Sequence, residues 1–314
     1  MYTKVFEREI FLALTKNKGN YNAQMLVPDT LYSDTTWWIR NLPVNKNHLT
    51  RDKYVIEIFS DASDLGWGIF CNKISSQGFW SNEERKHHNN YKELLALYFG
   101  LKCFASDLLN VSILCRVDNT TALAYVQFPK LNALAREIWP WCEKRKLFIF
   151  ASYIKSRENK EADTASRNLQ METEWTLANW AYNRLIKKWG KPTIDLFATR
   201  INTKCTTFIS WQRDPEAYAI GAFTVNCEKF NFYAIPPFSV ISKTLEKIIS
   251  DKAEGILVVP NWVSQPWYPI FTSLLTDDPI IFSPNGNLLY FGRVPHPLAG
   301  ILSLMARLSG KHYL

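Results

Sequence analysis

The six cysteines of this chain, Cys71, Cys103, Cys115, Cys142, Cys205 and Cys227, include no CxxC pair. That argues against a zinc ribbon, and Cys103, Cys115 and Cys142 sit in apolar contexts that suit small core residues. No apolar run approaches the roughly 18–20 residues of a membrane span, and no secretory leader is evident. The expectation is an intracellular, reduced chain, cytoplasmic or nuclear, with no membrane partner. Internal repeats and low-complexity segments are missing as well.

What is present is a globular composition. Hydrophobic residues make up 47% and charged residues 21% of 314 positions, enough for one large or two ordinary domains. The formal net charge is +8, with a pI near 9.1. Such a balance favours an anionic partner such as nucleic acid without requiring one. Twelve Trp and fourteen Tyr are a high aromatic load; rings beside basic residues suit base stacking, and rings elsewhere suit core.

The chain divides by pattern into a lead-in (1–51), an α/β block (52–168), a connecting helix (169–192) and a second α/β block (193–314). In the lead-in, Phe6, Ile10, Phe11 and Leu14 have helical spacing, and Asp34 to Leu42 reads as a helix or turn carrying Trp37 and Trp38. That Trp pair reads as packing against the next domain or as a ligand platform. In the first block, strands are expected at 54–60, 66–72 and 77–80, then a helix over 90–106 with Leu94, Leu97, Leu101 and Phe104 on its apolar face. A strand at 111–117, helices at 120–127 and 131–145, a strand at 147–154 and a last helix from Lys160 complete it. The order implies a mixed five-stranded sheet with flanking helices. Beyond Trp175, Trp180, Leu185 and Trp189, which suggest one helix over 169–190, apolar runs at 194–198, 230–235, 256–260 and 279–282 and a helix at 240–250 suggest βα units.

Acids occupy informative places in the first block. Asp61 ends the first strand in a hairpin too short to hide it, Glu93 falls in the first turn of the long helix, Asp118 ends the fourth strand, and Asp163 starts the last helix. Each alone also reads as a turn former, cap or solvated charge. If strands one and four are parallel neighbours, both Asp side chains emerge at one edge, where helices can add Glu93 and Asp163. Carboxylates so gathered repel unless a cation sits between them. All-oxygen ligation suits Mg²⁺ or Mn²⁺, and two such ions suit phosphodiester hydrolysis.

The residues around these acids resemble a known family. Asp61-Ala62-Ser63, Lys92-Glu93-Leu94, Asp118-Asn119 and the run Glu158 to Arg167 follow the order and context of the type 1 ribonuclease H acids. Flanking stretches (GWGIF, GFWSNEE, the segment His88–Leu97, DNTTALAYV, WCEKR) resemble DIRS-type retrotransposon polyproteins, where a reverse transcriptase is followed by RNase H and then a region similar to DNA N6-adenine methyltransferases. The resemblance spans nearly the whole chain; TWWIRNL looks like the connection after a polymerase thumb, which would make 1–51 a remnant of that part. It implies an RNase H-like fold at 52–168, in which Asp61, Glu93, Asp118 and Asp163 bind two Mg²⁺ (or Mn²⁺) ions and cut the RNA strand of an RNA–DNA hybrid. Asn119 and Asn159 would organise substrate or the metal-ligand loops. Lys155 or Arg157 would contact phosphate in a loop that usually carries a histidine in cellular RNases H. His88 would contact nucleic acid or cap its helix.

For 193–314 the resemblance implies a Rossmann-like, methyltransferase-like domain. Asp195-Leu196-Phe197-Ala198-Thr199, Ser210 to Pro215, Tyr233 to Phe238 and Val259 to Tyr268 carry it. An adenine methyltransferase needs Asn or Asp before Pro-Pro-aromatic to accept hydrogen bonds from the target amino group. Ile235 stands there, Gly221 stands where the family has Asp, and no glycine-rich turn for S-adenosylmethionine is evident. An inactive shell is expected, without S-adenosylmethionine. No Tyr-x-Asp-Asp motif occurs, so polymerase activity is not expected, and the upstream reverse transcriptase of the same element is an expected partner. The start of the sequence suggests a piece of a larger polyprotein. Rival readings are an integrase or transposase, disfavoured because Glu93 lies between the two strand-end Asp residues, a silent nucleic-acid-binding relic, and a DNA N6-adenine methyltransferase, which binding of S-adenosylmethionine would mark.

Overall fold

The computed structural model describes residues 4–41, 53–127, 133–171, 174–292, 294–298, 300 and 304–312. The lead-in forms α1 (Lys4–Lys16) and α2 (Tyr32–Asn41). Trp37 Nε1 donates to Glu143 Oε1 at 2.9 Å, so one indole of the Trp pair is a contact with the next domain. The stretch 42–52, where the first boundary is expected, lies outside the described residues, as do Pro129 and Leu131.

The first block is built on β1 (Ile56–Ala62), β2 (Gly66–Cys71), β3 (Ile74–Phe79), α3 (Asn89–Ala105), β4 (Ser112–Val117), α4 (Thr120–Gln127), α5 (Ala135–Lys144), β5 (Phe148–Tyr153) and α6 (Lys160–Arg167). The strands order as β3-β2-β1-β4-β5. The hairpin pairs are antiparallel, whereas β1–β4 and β4–β5 are parallel. This is the expected mixed five-stranded sheet. Alternation places Ile58, Ile69, Ile113, Cys115, Ile149 and Ala151 on one face, packed with Leu94, Leu97 and Leu101 of α3 and Ile138 of α5. On the other face α6 lies against β2 and β1.

That approach rests on a glycine. A Cβ at Gly68 would stand 2.2 Å from the Ala162 carbonyl oxygen and 2.3 Å from the Ser166 nitrogen, so only a residue without a side chain lets α6 down onto β2. Three elements differ from expectation by two residues or more, β1 first, which runs Ile56–Ala62 rather than 54–60. β3 begins three residues early, because Ser75 and Ser76 pair with Phe70 and Ile69 despite their polarity. α5 starts at Ala135 rather than 131.

The second block contains β6 (Thr176–Leu177), α7 (Asn179–Trp189), β7 (Ile194–Asp195), β8 (Thr207–Ser210), β9 (Ala219–Ile220), β10 (Asn231–Ala234), α8 (Ile241–Ser250), β11 (Glu254–Val259), α9 (Tyr268–Ser273), β12 (Ile280–Ile281), β13 (Leu289–Phe291), β14 (Val294–Pro295) and β15 (Leu304–Ser309). The connecting helix expected over 169–190 is therefore shorter, and Ala181, Tyr182, Leu185 and Trp189 bury it against the second sheet rather than leaving it a linker. Trp175 lies ahead of β6, edge-on to His296 at 4.6 Å.

Seven strands order as β12-β15-β11-β10-β7-β8-β9. β7, β8, β9, β10 and β11 run parallel, and β15 runs antiparallel to β11. Period-two alternation splits β11 cleanly. Leu257 and Val259 face α8 and α9, while Ile256 and Val258 face α7. The sheet is thus covered on both faces, as near-continuous apolar strands require. Replacing Gly68 with Ala is expected to push α6 away and cost about 1–3 kcal/mol; thermal or urea melting of the purified variant checks it.

Candidate metal centre

Parallel pairing sets the site. Ile56 to Phe59 register against Ile113 to Arg116, so Asp61 near the end of β1 and Asp118 just beyond β4 leave the sheet at the same edge. α3, seated by its leucines, brings in Glu93 from its second turn, since the helix starts at Asn89. Carboxylate oxygens of Asp61, Glu93 and Asp118 lie within 4.8 Å of one another. The hairpin was expected to leave Asp61 open. Instead Asp61 is 5% and Glu93 4% exposed, because α6 closes over β2, while Asp118 is half-buried.

The electrostatics follow from that burial. Desolvation, then the Asp61 and Asp118 charges, push the Glu93 carboxyl up to about 9. Asp61 is also raised by burial, with Asp118 and Asp163 adding to the rise and the Ser166 hydroxyl opposing it. Glu93 Oε2 is buried with no hydrogen-bond donor. Its partner atom, Oε1, accepts from Asn89 Nδ2 at 3.3 Å. A buried carboxylate oxygen without a donor, beside two more acids, is a donor set that fits a hard divalent cation.

Asp163 is not part of the triad. Its Oδ1 accepts from Arg167 Nε at 2.6 Å, one helical turn on, and its side chain is 40% exposed. It remains close enough to raise Asp61. Asn159 is 1% exposed and donates from Nδ2 to the Ser60 carbonyl at 3.0 Å. That bond joins the start of α6 to β1. Asn119 Oδ1 accepts from the Ala122 N–H at 2.9 Å, capping α4, and its Nδ2 donates to Asn90 Oδ1 at 3.0 Å. His88 caps α3, its Nδ1 accepting from the Asn90 N–H at 3.2 Å. Lys155 and Arg157 are exposed in the turn between β5 and α6.

One residue at the site carries a role that sequence reading leaves unassigned. Ser166 is fully buried, and its hydroxyl donates to Asp61 Oδ2 at 2.6 Å. Ser63 Oγ in turn donates to the Ser166 carbonyl at 2.7 Å. α6 and the β1–β2 turn are thereby tied around Asp61. A serine three residues after an acid, on the same helix, is the only signal for it.

At the second sheet, Asp195 ends β7, is 3% exposed, and is raised to about 7 by burial, opposed by backbone donors. The cavity beside it, lined by Asp195, Phe197, Tyr233 and Ile235 among others, holds only about 10 Å³. Pockets for organic ligands usually hold about 300–1,000 Å³. The residues present do not fit S-adenosylmethionine there. The larger open groove, about 610 Å³ and lined by Tyr54, Glu57 and Leu114, lies at the other end of β1 from Asp61.

No family model matches the chain. Over 170 residues, 48% of its length, the chain is 29% identical to the enzymatic polyprotein of Cauliflower mosaic virus strain CM-1841, and the same holds for strain BBC. The chain spans about a quarter of the length of these relatives, 24% in each. It is thus similar to part of a viral enzymatic polyprotein. Among solved structures, LC11-RNase H1 in complex with RNA/DNA hybrid matches 35% of this chain and 91% of its own, at 18% identity and TM-score 0.29. The foamy viral protease-reverse transcriptase in complex with dsDNA matches 47% of this chain and 34% of its own, at 16% identity and TM-score 0.24.

A stability test follows from Glu93. Its carboxyl is raised from 4.5 to about 9, so without metal the folded state keeps a proton that the unfolded chain releases. The resulting stability is full below about pH 4.5 and is lost as pH rises through about 9. Glu93→Gln is expected to flatten that loss and to be roughly 1–3 kcal/mol more stable than the parent at about pH 8. Melting of both proteins across that range in a chelator, then with Mg²⁺, checks it; Mg²⁺ should raise only the parent's melting temperature appreciably.

Proposed function

We propose that residues 52–168 are a metal-dependent ribonuclease H that hydrolyses the RNA strand of an RNA–DNA hybrid, within a retroelement polyprotein of the DIRS type. The observation that carries this reading is the triad of buried Asp61 and Glu93 with half-buried Asp118 at one edge of a mixed five-stranded sheet. The motif order around these acids and the viral polyprotein similarity support it.

Asp61, Glu93 and Asp118 would hold the cations, with Asp163 joining from α6 on release from Arg167. Two Mg²⁺ or Mn²⁺ ions there would supply activation of water and stabilisation of the leaving oxygen at one phosphate. The chain's own groups do the rest. Ser166 and Asn159 fix Asp61 and its strand, so that carboxylate needs no rearrangement to receive a cation. Lys155 and Arg157 offer exposed charge for the substrate backbone, Asn119 and His88 flank the approach, and the upstream reverse transcriptase would add grip on the hybrid. The lead-in is read as a remnant of that partner's connection.

The second block is read as a Rossmann-like, methyltransferase-like unit without methyl transfer. Its parallel strands wind outward from β7 in both directions, as a doubly wound sheet does. Ile235 offers no acceptor for an amino group, and the crevice lacks volume for a cofactor.

Cleavage of a strand-labelled RNA–DNA hybrid tests the main reading. The parent should cut only RNA, only with Mg²⁺ or Mn²⁺, and Asp61→Asn and Asp118→Asn should fall to background. Hybrid binding without metal-dependent cutting would instead favour the silent nucleic-acid-binding reading. A Lys155→Ala, Arg157→Ala double variant should raise KM with kcat nearly unchanged. It should also reduce the slope of log binding against log salt by about 0.7–0.9 per lost phosphate contact.

A further inference from the structure

In a doubly wound sheet the loops beyond the carboxyl ends of the strands ordinarily enclose the ligand, at the point where strand order reverses. Here that point lies between β7 and β10, and it is closed. Asp195 is satisfied by the chain itself, accepting from the Lys204 N–H at 3.0 Å and the Phe197 N–H at 3.4 Å. The loops that leave β7 and β8 reach elsewhere.

They reach the first block. Arg200, in the loop after β7, has a side chain only 6% exposed. Both terminal nitrogens of its guanidinium donate to Glu84, one of them at 2.9 Å, and the group lies over the Phe99 ring at 4.6 Å. Arg213, in the loop after β8, donates from Nη1 to the Cys103 carbonyl at 2.9 Å and lies over the Phe104 ring at 4.9 Å. Its own carbonyl accepts from Ser76 Oγ. Gln212 Nε2 donates to the Gln77 carbonyl at 2.7 Å, so the middle of edge strand β3 has a partner from the second block. Asp214 ties the two loops, accepting from the Arg200 N–H at 3.1 Å.

These contacts converge on α3. Phe99, Cys103 and Phe104 belong to the helix that carries Glu93, and Glu84 lies just ahead of its His88 cap. Arg200 is nearly buried and Arg213 half-buried, and both guanidinium groups are set against the one helix. A planar, permanently charged fork gives fixed geometry where an apolar contact would slide. We propose that the second block is a brace for the first: its ligand-side loops are committed to α3 and the β3 edge, and Arg200 and Arg213 are positioning residues that hold Glu93 against Asp61 and Asp118. The effect on catalysis rests on the ribonuclease reading; the brace itself does not.

The test uses the full chain, with Arg200→Ala, Arg213→Ala, the double variant and Arg200→Lys. Hydrogen exchange is followed over Glu84–Ala105, hybrid cleavage gives kcat and KM, and calorimetry with S-adenosylmethionine probes the crevice. Expected are faster exchange along α3 and a fall in kcat of up to about a hundredfold with KM nearly unchanged, largest in the double variant and partly recovered by Arg200→Lys. Unchanged α3 exchange in a folded double variant overturns the brace, as does saturable S-adenosylmethionine binding. If Arg200→Ala does not fold, Arg213→Ala, whose contacts are a carbonyl and a ring face, carries the comparison. A parent that cuts no hybrid refutes the nuclease reading alone, because exchange along α3 still decides the brace.

Discussion

Two nearly buried carboxylates, Asp61 and Glu93, share one sheet edge with half-buried Asp118, and the first block is arranged to hold that repulsion in place. Left in water, three acids would spread apart. Here each is fixed by a different element: β1, α3 and the turn after β4. The arrangement exists only because β1 and β4 run parallel, which delivers two strand ends to one side. Burial then raises Glu93 to about 9, so the site in its metal-free form holds a proton that a cation would displace.

The same edge depends on a close contact on the neighbouring strand. Gly68 pairs with Asp61 across the hairpin, and its missing side chain admits the backbone of α6. α6 in turn supplies Ser166 to Asp61, and Asn159 at its start anchors to Ser60. The polar groups that orient the acid are therefore supplied by the helix that shields it from water. A burial that would otherwise penalise the carboxylate is also what makes it rigid.

Much of the first sheet was legible in the sequence because its strands are continuous apolar runs with strong turn residues between them, as in Tyr54 to Gly68. β3 was placed late because Ile74-Ser75-Ser76 has no apolar signal; its pairing with β2 supplies the stability. The triad could be read from acids at element ends, but the ion pair of Asp163 with Arg167 could not be weighed against metal ligation without coordinates. In the second sheet, β8 and β9 are four and two residues long, too short for a period to show. β15 gains its place by pairing with β11 from 45 or more positions away, and no local pattern encodes that. Trp175 misled the helix boundary: its ring meets His296, not α7.

The two blocks also answer a problem that each has alone. A five-stranded sheet leaves β3 as an edge, with backbone groups open to unwanted pairing. The loops after β7 and β8 carry Arg200 and Arg213, charged groups that lose water in the fold and need partners. Packed together, Gln212 and Arg213 meet the middle of that edge at Gln77 and Ser76, Arg200 gains Glu84 and the Phe99 ring, and Arg213 gains the Cys103 carbonyl. The buried Arg200–Glu84 pair adds little net stability by itself, since desolvation offsets most of its attraction. What it adds is register: one angular setting of the second block against the helix that carries Glu93. A site made of mutually repelling acids tolerates little drift, so the constraint that opens this molecule's chemistry also gives the contact between the two blocks its use.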